Sequence, residues 1–427
     1  MIKVTLINTS DSTGGAAIAC RRLFYSLKKN PSIIPVLIAR DVNKRDDNII
    51  STTEGWYHKL LNIINFAVER IYFIFIASSK SVRFLFSIGN TGIDISKNKS
   101  VKESDIIHLH WINHGFLSLK SIDKLLSLKK SVVWTLHDMW TFTGGCHYSG
   151  SCNQYINNCG ICPFIKKPKQ NDLSNKIWKR KKQVFLSHNN LTIVTCSQWL
   201  ANCAKESSLL KNHQIINIPN PIDTNKYLPK DKTISKDSLN LNQSKRYILF
   251  AAVNINNYLK GFNFFLESLK ILKTEYRITN EIEILIAGKT KPHPIFNEIP
   301  FKCIFLQSIS EDDMPNIYNA SDIYVTTSIQ ENLPNTIMES LSCGVPVVAF
   351  NIGGIPEMID HRKNGWLALY KSAADIAKGI YWCLFEADYN DISGYAREKV
   401  INNYSESIVA QKYIQLYSNL LNKKIHD

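Results

Sequence analysis

The sequence predicts an α/β protein made of two Rossmann-like, doubly wound domains that face each other across a cleft. The chain has 427 residues, which is too long for one ordinary hydrophobic core. Short apolar runs alternate with segments of helical periodicity along the whole chain, which is the pattern of parallel sheets. Sheets of this kind bind ligands at the carboxyl ends of their strands.

The first predicted domain covers residues 1–220. Strands are expected at Ile2–Asn8, Ile33–Ala39, Asp105–Trp111, Ser131–Leu136 and Leu191–Cys196. Helices are expected at Gly14–Lys28, Leu117–Leu128 and Gln198–Ala204. Residues 56–88 are apolar and aromatic without strand alternation, and we expect helix and loop there, close to a membrane surface.

The second predicted domain covers residues 221–404, and residues 405–427 are expected to form a helix that packs back on the first domain. Strands are expected at Tyr247–Val253, Glu283–Ala287, Cys303–Leu306, Ile323–Thr327 and Val345–Phe350. Helices are expected at Gly261–Lys273, Asp312–Asn319, Pro334–Ser342, Ala373–Phe385 and Ile392–Tyr404. The polar stretch from Lys230 to Ser244 is interpreted as a linker between the two domains.

The positive charge of the chain belongs to the first domain. Residues 1–220 contain 29 Lys and Arg against 13 Asp and Glu, a net +16, whereas residues 221–427 contain 22 against 23. This charge favours an anionic membrane surface or a polyanionic ligand as partner, the alternative being a solvated lysine-rich surface. No zinc-finger, helix-turn-helix or RNA-binding signature accompanies it, so no nucleic acid is expected.

The N-terminal sequence M-I-K-V-T-L-I-N is typical of a strand and not of a signal peptide. The most apolar run, Ile71–Ala77, is far shorter than a membrane span. We therefore expect a cytoplasmic protein, or one held peripherally on the inner face of the membrane.

The strongest chemical signal lies in residues 330–357. Glu331 is expected in a loop and Glu339 in a helix that Pro334 opens. A second tight loop follows at Gly353 and Gly354. A loop acid, helix N-terminal amides and a helix acid at this spacing suit one phosphorylated, polyhydroxylated ligand, because such amides bind anions and carboxylates accept hydrogen bonds from hydroxyl groups.

Two further loops follow the first strands of their domains. In T-S-D-S-T-G-G-A-A, Gly14 and Gly15 permit close approach of a ligand to the backbone, or form only a tight turn. This is not G-x-G-x-x-G, so dinucleotide binding is weakly supported. Lys260 precedes Gly261 and an apolar helix, where a point charge can meet a diphosphate.

Histidines occupy two predicted strand ends, in H-L-H-W and T-L-H-D-M-W. Alternation places His108 and His110 on one face of their strand. His137 and Asp138 at a strand terminus are expected to be functional, His110 less so, and His108 is expected to be structural.

Cys146, Cys152, Cys159 and Cys162 form C-x5-C-x6-C-x2-C in a loop covering residues 144–165. Without an export signal, disulfides are not expected. Four thiols in one loop can bind a structural zinc ion, and the alternatives are a redox-labile pair or packing without a ligand.

Taken together these motifs resemble the family 4 retaining glycosyltransferases, which have the GT-B fold. The resemblance rests on E-N-L-P-N-T-I-M-E, G-V-P-V-V, G-G-I-P-E, L-K-G and I-P-N-P-I-D, with G-G and T-L-H-D near the N-terminus. The cysteine-bearing stretch after T-L-H-D is similar to a subgroup of bacterial transferases that make exopolysaccharide, capsule or O-antigen.

The resemblance implies a role for each candidate residue. The first domain would bind the acceptor, a polyprenyl-diphosphate or growing glycan, and the second would bind a UDP- or GDP-linked sugar. Glu331 would contact the donor sugar, Glu339 the ribose, and Lys260 the diphosphate leaving group. His137 would face the transferred sugar, with His110 and Asp138 on the acceptor side. The other implied donor-binding residues are Leu333, Pro334, Asn335, Gly353, Gly354, Gly14 and Gly15.

The sequence departs from the family pattern at two places. Asn332 stands where Gly usually follows the first Glu, and Asn254 and Asn256 stand where many members carry an Arg. Neutralisation of the diphosphate then depends on Lys260. No D-x-D in a fitting context is present, so no catalytic metal cofactor is expected. The alternatives are a nucleotide-dependent Rossmann oxidoreductase or epimerase and a non-catalytic glycan-binding protein.

Overall fold

The computed structural model describes residues 1–43, 46–255, 257–289, 294–307 and 309–426. The chain divides into two compact units, Met1–Pro221 together with the C-terminal segment from Val409, and Ile222–Ile408. Each unit is built on one parallel sheet, which confirms the predicted α/β class with two doubly wound domains.

The sheet of the first unit has the order β3-β2-β1-β4-β5-β6-β7, and all its pairs are parallel. Its strands are β1 Ile2–Ser10, β2 Ile33–Asp41, β3 Ile49–Ser51, β4 Ile106–Leu109, β5 Ser131–Leu136, β6 Leu191–Thr195 and β7 Gln214–Asn217. From β1 the chain adds β2 and β3 on one side of the sheet, and β4 to β7 on the other, so the strand order reverses between β1 and β4. In doubly wound sheets this switch point leaves a crevice at the carboxyl ends of the strands.

Helices cover this sheet, and two short 3₁₀ turns lie in its long loop. The helices are α1 Gly15–Lys28, α2 Trp56–Ile76, α3 Lys99–Glu103, α4 Leu119–Leu126, α5 Leu173–Leu186 and α6 Gln198–Glu206, and the 3₁₀ turns are Trp140–Phe142 and Gln154–Ile156. The C-terminal helix, Glu406–His426, packs on the sheet through Tyr413 and Tyr417, which are buried beside Val4 and Leu6.

The sheet of the second unit has the order β10-β9-β8-β11-β12-β13, again all parallel. Its strands are β8 Arg246–Asn254, β9 Ile282–Lys289, β10 Cys303–Leu306, β11 Ile323–Thr326, β12 Val347–Phe350 and β13 Gly365–Ala368. The reversal here falls between β8 and β11, so the loops that follow these two strands emerge side by side.

The helices of the second unit enclose a core of β8, β9, β11 and β12 side chains. They are α7 Lys232–Ser238, α8 Phe262–Thr274, α9 Met314–Ala320, α10 Asn335–Ser342, α11 Ile355–Met358, α12 Ala373–Tyr381 and α13 Tyr389–Tyr404, with 3₁₀ turns at Tyr258–Lys260 and Pro294–Glu298 and a π turn at Trp382–Glu386.

The predicted linker, residues 230–244, is wrong, because this segment belongs to the second unit. Asp231 caps α7 by accepting a hydrogen bond from the Ile234 amide at 3.0 Å. Lys232 forms an ion pair with Asp322 at 2.8 Å, and the Lys236 ammonium donates to the Lys245 carbonyl at 2.7 Å. The polar residues that suggested a linker are therefore the partners that fix α7 to its domain.

Three short strands, β3, β7 and β13, the short helices α3 and α11, and the longer helix α5 were not predicted. The strands have three or four residues each, too few for a period-2 pattern to be recognised. α5 reads L-S-N-K-I-W-K-R-K-K-Q-V-F-L, whose lysines mask its apolar face. None of the helices within the described ranges is long and apolar enough to cross a membrane.

Candidate functional site

Lys260 and Glu331 meet at the switch point of the second sheet. Lys260 ends the 3₁₀ turn that follows β8, and Glu331 lies in the loop that follows β11. The Lys260 Nζ atom lies 2.6 Å from Glu331 Oε1. This carboxylate raises the pKa of Lys260, so the ammonium stays charged. Both residues are expected at the site from the sequence, whereas their contact is visible only in the structure.

Gly261 holds Lys260 in place. Its φ of 64° lies in the left-handed region, and an added Cβ would approach the Thr327 carbonyl oxygen to 2.0 Å. The Thr327 hydroxyl donates to the Gly261 carbonyl at 2.9 Å, and the Ile329 amide donates to the Leu259 carbonyl at 2.9 Å. Hydrogen bonds to backbone carbonyls thus join the two loops. The left-handed conformation of Gly261 fixes the backbone next to Lys260.

Glu339 lies in a different environment from Glu331. It is buried on α10 and accepts a hydrogen bond from the Tyr318 hydroxyl at 3.1 Å. Tyr324 on β11 donates to the Thr336 hydroxyl at 3.0 Å and so ties the first turn of α10 to the sheet. Neither tyrosine was singled out from the sequence, because nothing in their spacing links them to α10.

The remaining predicted donor-side residues surround the start of α10. Leu333 is buried, Pro334 is the N-cap, and Asn335 begins the helix, one position later than predicted. The Gly354 amide donates to the Asn332 carbonyl at 2.9 Å. Gly353 has a φ of 54°, so the second glycine loop is folded back against the loop of Glu331.

Of the two asparagines that replace the expected Arg, Asn256 lies outside the described residues. Asn254 is the last residue of β8.

In the first unit, Gly14 and Gly15 lie at the switch point between β1 and β4. Gly14 is the N-cap of α1 with a φ of 94°, and no side chain caps the helix. An added Cβ at Gly14 would meet no atom within 4 Å. The space beside this helix N-terminus is therefore open in the first unit, as an anion or hydroxyl site requires.

The histidines form a stack at the ends of β4 and β5. His108 is buried, with Nδ1 2.7 Å from the Tyr417 hydroxyl and Nε2 2.8 Å from the Thr135 hydroxyl. His110 Nδ1 lies 3.1 Å from His137 Nε2. Burial lowers the pKa of His137 to about 4 and that of His108 to about 3, so both rings are neutral at physiological pH.

Asp138, predicted on the acceptor side, makes only internal contacts among those the structure shows. Its carboxylate accepts hydrogen bonds from the Trp111 indole at 2.8 Å and the Trp140 amide at 2.8 Å, and lies 2.7 Å from His147 Nδ1. These contacts make it a positioning residue for Trp111 and His147. Sequence reasoning missed His147, whose only signal is that it follows Cys146 in the same loop.

The four loop cysteines line one pocket. All ten cysteines of the chain lie within the described ranges and are free thiols. Burial raises the pKa of Cys146, Cys159 and Cys162 to about 12. The Gly144 amide donates to Cys159 Sγ at 3.0 Å.

Lys181 of α5 lies beneath this loop and is fully buried. Its ammonium donates to the carbonyls of Trp140 and Thr143, the latter at 3.0 Å, and lies 3.6 Å from the Trp140 ring centroid. Burial lowers its pKa to about 7. Over the described residues, no group of three or more His, Cys, Asp or Glu side chains is arranged to hold a metal ion. Zinc binding in the pocket stays a prediction without support from the arrangement of the thiols.

The chain is similar to known proteins both in sequence and in fold. Residues 231–399, the body of the second domain, match the family described as glycosyl transferases group 1. A putative colanic acid biosynthesis glycosyl transferase from Escherichia coli K12 is 24% identical over 334 residues, 74% of this chain and 76% of that protein. An E. coli UDP-Gal:α-D-GlcNAc-diphosphoundecaprenol α-1,3-galactosyltransferase is 24% identical over 214 residues, 48% of this chain and 54% of that protein.

Other curated relatives are matched over about half their length, 48% of one and 52% of another. Among solved structures, the Anabaena protein HepE in complex with UDP-glucose has a TM-score of 0.64 at 13% identity and covers 98% of this chain and 100% of its own. The second domain therefore matches a glycosyl transferase family model, and the whole chain shares the fold of the solved structures.

The contact between Gly261 and Thr327 leads to a prediction. Gly261→Ala should lower the free energy of unfolding by more than about 2 kcal/mol, because the residue is held at positive φ against a backbone carbonyl. Gly394→Ala is the matched control, since an added Cβ there meets nothing within 4 Å. Urea unfolding measures both, and equal stability of the two variants would contradict the assigned role of Gly261.

A second prediction concerns His108. Its pKa is about 3 in the fold against 6.5 ordinarily, so on acidification the unfolded chain binds the proton first. Neutral His108 therefore makes its full contribution to the free energy of unfolding only above pH 6.5. This contribution is lost as the pH falls, and the loss is about 2 kcal/mol at pH 5. His108→Gln should therefore show a smaller loss of unfolding free energy between pH 7.5 and 5 than the wild type. The exposed His58→Gln should keep the wild-type dependence, and identical slopes for all three proteins would exclude His108 as the titrating group.

Proposed function

We propose that the chain is a retaining glycosyltransferase that moves a sugar from a nucleotide-diphosphate sugar to a lipid-linked or growing glycan acceptor in cell-surface polysaccharide biosynthesis. The observation that carries the proposal is the Lys260–Glu331 pair at the switch point of the matched domain, with Nζ and Oε1 2.6 Å apart. A cation and an acid held together at the ends of parallel strands suit a ligand that carries both phosphate and sugar hydroxyl groups.

The reaction breaks the bond between the sugar and the diphosphate, and negative charge grows on the leaving group. Lys260 stabilises that charge, because its ammonium has three donors and only one is used by Glu331 in the pair. The amides at the start of α10 add a second source of positive potential. The chain needs no metal for this stabilisation in the proposed mechanism.

The donor is proposed to lie along the loops that follow β11 and β12. Glu331 accepts hydrogen bonds from the sugar hydroxyl groups with the carboxylate oxygen that Lys260 does not hold. Glu339 binds the ribose, and Leu333, Pro334 and Asn335 line the path between them. Gly353 and Gly354 let the donor approach the backbone closely.

The acceptor is proposed to bind the first domain near His110, with Gly14 and Gly15 at the adjoining strand end. His137 contacts the transferred sugar as a neutral ring, which forms hydrogen bonds without adding charge beside an oxocarbenium-like centre. Asp138 acts indirectly, by fixing Trp111 and His147.

Two relatives support the nature of the substrates. One is named for transfer from UDP-galactose to a diphosphoundecaprenol-linked sugar, and another for colanic acid biosynthesis. The structural neighbour HepE was solved with UDP-glucose. A UDP-linked sugar is therefore the first donor to test and a polyprenyl-diphosphate glycan the first acceptor. Such an acceptor places the reaction at the inner face of the membrane.

A front-face reaction is the proposed route to retention. In this route the departing phosphate accepts the proton of the acceptor hydroxyl, and no protein base is needed. A double displacement would use Glu331 as nucleophile, but a carboxylate engaged by an ammonium at 2.6 Å is a poor nucleophile. The ion pair therefore favours the front-face route.

The test is to remove each member of the pair. Lys260→Ala and Glu331→Ala should each lower turnover of a UDP- or GDP-sugar by at least about 100-fold, the scale of one lost transition-state contact. Radiolabelled sugar transfer to a lipid-linked acceptor measures this loss, after a thermal-shift screen has selected the nucleotide.

Lys270→Ala is the matched control, because Lys270 forms an exposed ion pair with Glu298 at 2.7 Å on the same domain. This variant should transfer sugar at the wild-type rate. Near-normal turnover by either site variant would refute the assignment of the pair.

A further inference from the structure

The helix α2, Trp56–Ile76, carries large apolar side chains on its solvent-exposed face. Ten of its 21 residues are large apolar side chains exposed to solvent. Trp56 is 77% exposed, Ile63 64% and Phe75 74%. The exposed positions recur at intervals of three and four residues, so they form one continuous face. A face of this size is far more apolar than the surface of a protein that remains free in water.

The opposite face of α2 is fixed by polar contacts. Glu69 is buried and accepts hydrogen bonds from the Ile88 amide at 2.8 Å and the Gly89 amide at 3.3 Å. Arg70 donates to the Arg83 carbonyl at 3.0 Å and the Phe86 carbonyl at 2.8 Å. These charged groups cannot turn outward without losing their partners, so the apolar face cannot turn inward.

A cluster of lysines adjoins the C-terminal end of this face. The Lys166 amide donates to the Ile76 carbonyl at 2.8 Å, and Ala77 pairs with Ile165 in an antiparallel bridge. These contacts place Lys166 beside the end of the helix. The exposed residues Lys167 and Lys169 follow Lys166 in the chain, and Lys80 follows the helix by four residues. We call these four residues the lysine cluster.

The combination fits an anionic lipid surface. A helix with an apolar face, an aromatic N-terminal end at Trp56 and Tyr57 and lysines at its margin lies in the plane of the lipid–water interface. It does not span the bilayer, since no described helix has the required length and hydropathy. A second copy of this chain is a poorer occupant, because it would bring two lysine clusters together.

We infer that α2 and the lysine cluster form a membrane-docking surface that binds anionic phospholipid headgroups and inserts the α2 side chains between them. The inference deepens the proposed function, on which it rests only for the view that the acceptor is lipid-linked. Docking itself depends on contacts within the first domain and not on the Lys260–Glu331 pair.

Vesicle flotation tests the surface. The full chain should float with vesicles that contain phosphatidylglycerol and less with vesicles of phosphatidylcholine alone. Ile63→Glu, Ile71→Glu and Phe75→Glu together should lower binding to both vesicle types by at least about tenfold, because apolar insertion is lost. Lys166→Ala, Lys167→Ala and Lys169→Ala together should lower binding to the anionic vesicles alone, by about tenfold or more, and weaken its salt dependence.

Leu186→Glu is the control, since Leu186 is an exposed apolar residue of the same domain, 65% exposed at the end of α5. It should float like the wild type. Wild-type protein that stays unbound at low salt, or a triple glutamate variant that floats like the wild type, would overturn the inference. The inference would also be overturned if the wild type is a dimer and the same three substitutions convert it to a monomer without any effect on lipid binding.

UDP binding and transfer to a water-soluble acceptor, measured in parallel, separate this inference from the proposed function. The triple glutamate variant should retain both. Vesicle binding without any donor turnover would refute the function alone, and turnover without vesicle binding would refute the docking surface alone.

Discussion

The reversal of strand order in each sheet is the constraint on which the remaining structure depends. Two neighbouring strands whose helices depart in opposite directions leave their carboxyl ends uncovered. In the second sheet this brings together the loops after β8 and β11, and with them Lys260 and Glu331. In the first sheet it brings the Gly14 turn beside the strand that ends before His110. The position of the candidate site in each unit is thus determined by the sheet topology before any side chain is considered.

The sequence was sufficient for the fold class and for most strands, because parallel strands buried on both faces are short, strongly apolar runs. It also identified Lys260 and Glu331 as separate candidates. It could not show that they bond to each other across 71 positions, since local patterns carry no information about long-range pairing. The same limit hid Tyr318 and Tyr324, which act on α10 only through tertiary contacts.

Where sequence reasoning failed, polarity was a poor guide to burial. Lys181, Glu69 and Arg70 are charged and buried, and each has backbone carbonyls or amides as partners. Ile63 and Phe75 are apolar and exposed. A burial assignment from hydropathy assumes that the fold interior is the only apolar environment and that water is the only polar one. Both assumptions fail in the region formed by α2 and the cysteine loop.

The side of α2 that is fixed by polar contacts has a consequence for how the protein behaves in water. Many interfacial helices are disordered in water and lose chain entropy when they bind. α2 is already held by Glu69, Arg70 and the ring of Phe73 stacked on Phe86 at 4.3 Å. Little ordering entropy is left to lose, but its apolar face meets water whenever the protein is free. We therefore expect colloidal stability to limit the concentration of the protein in water, and mild detergent to raise that limit.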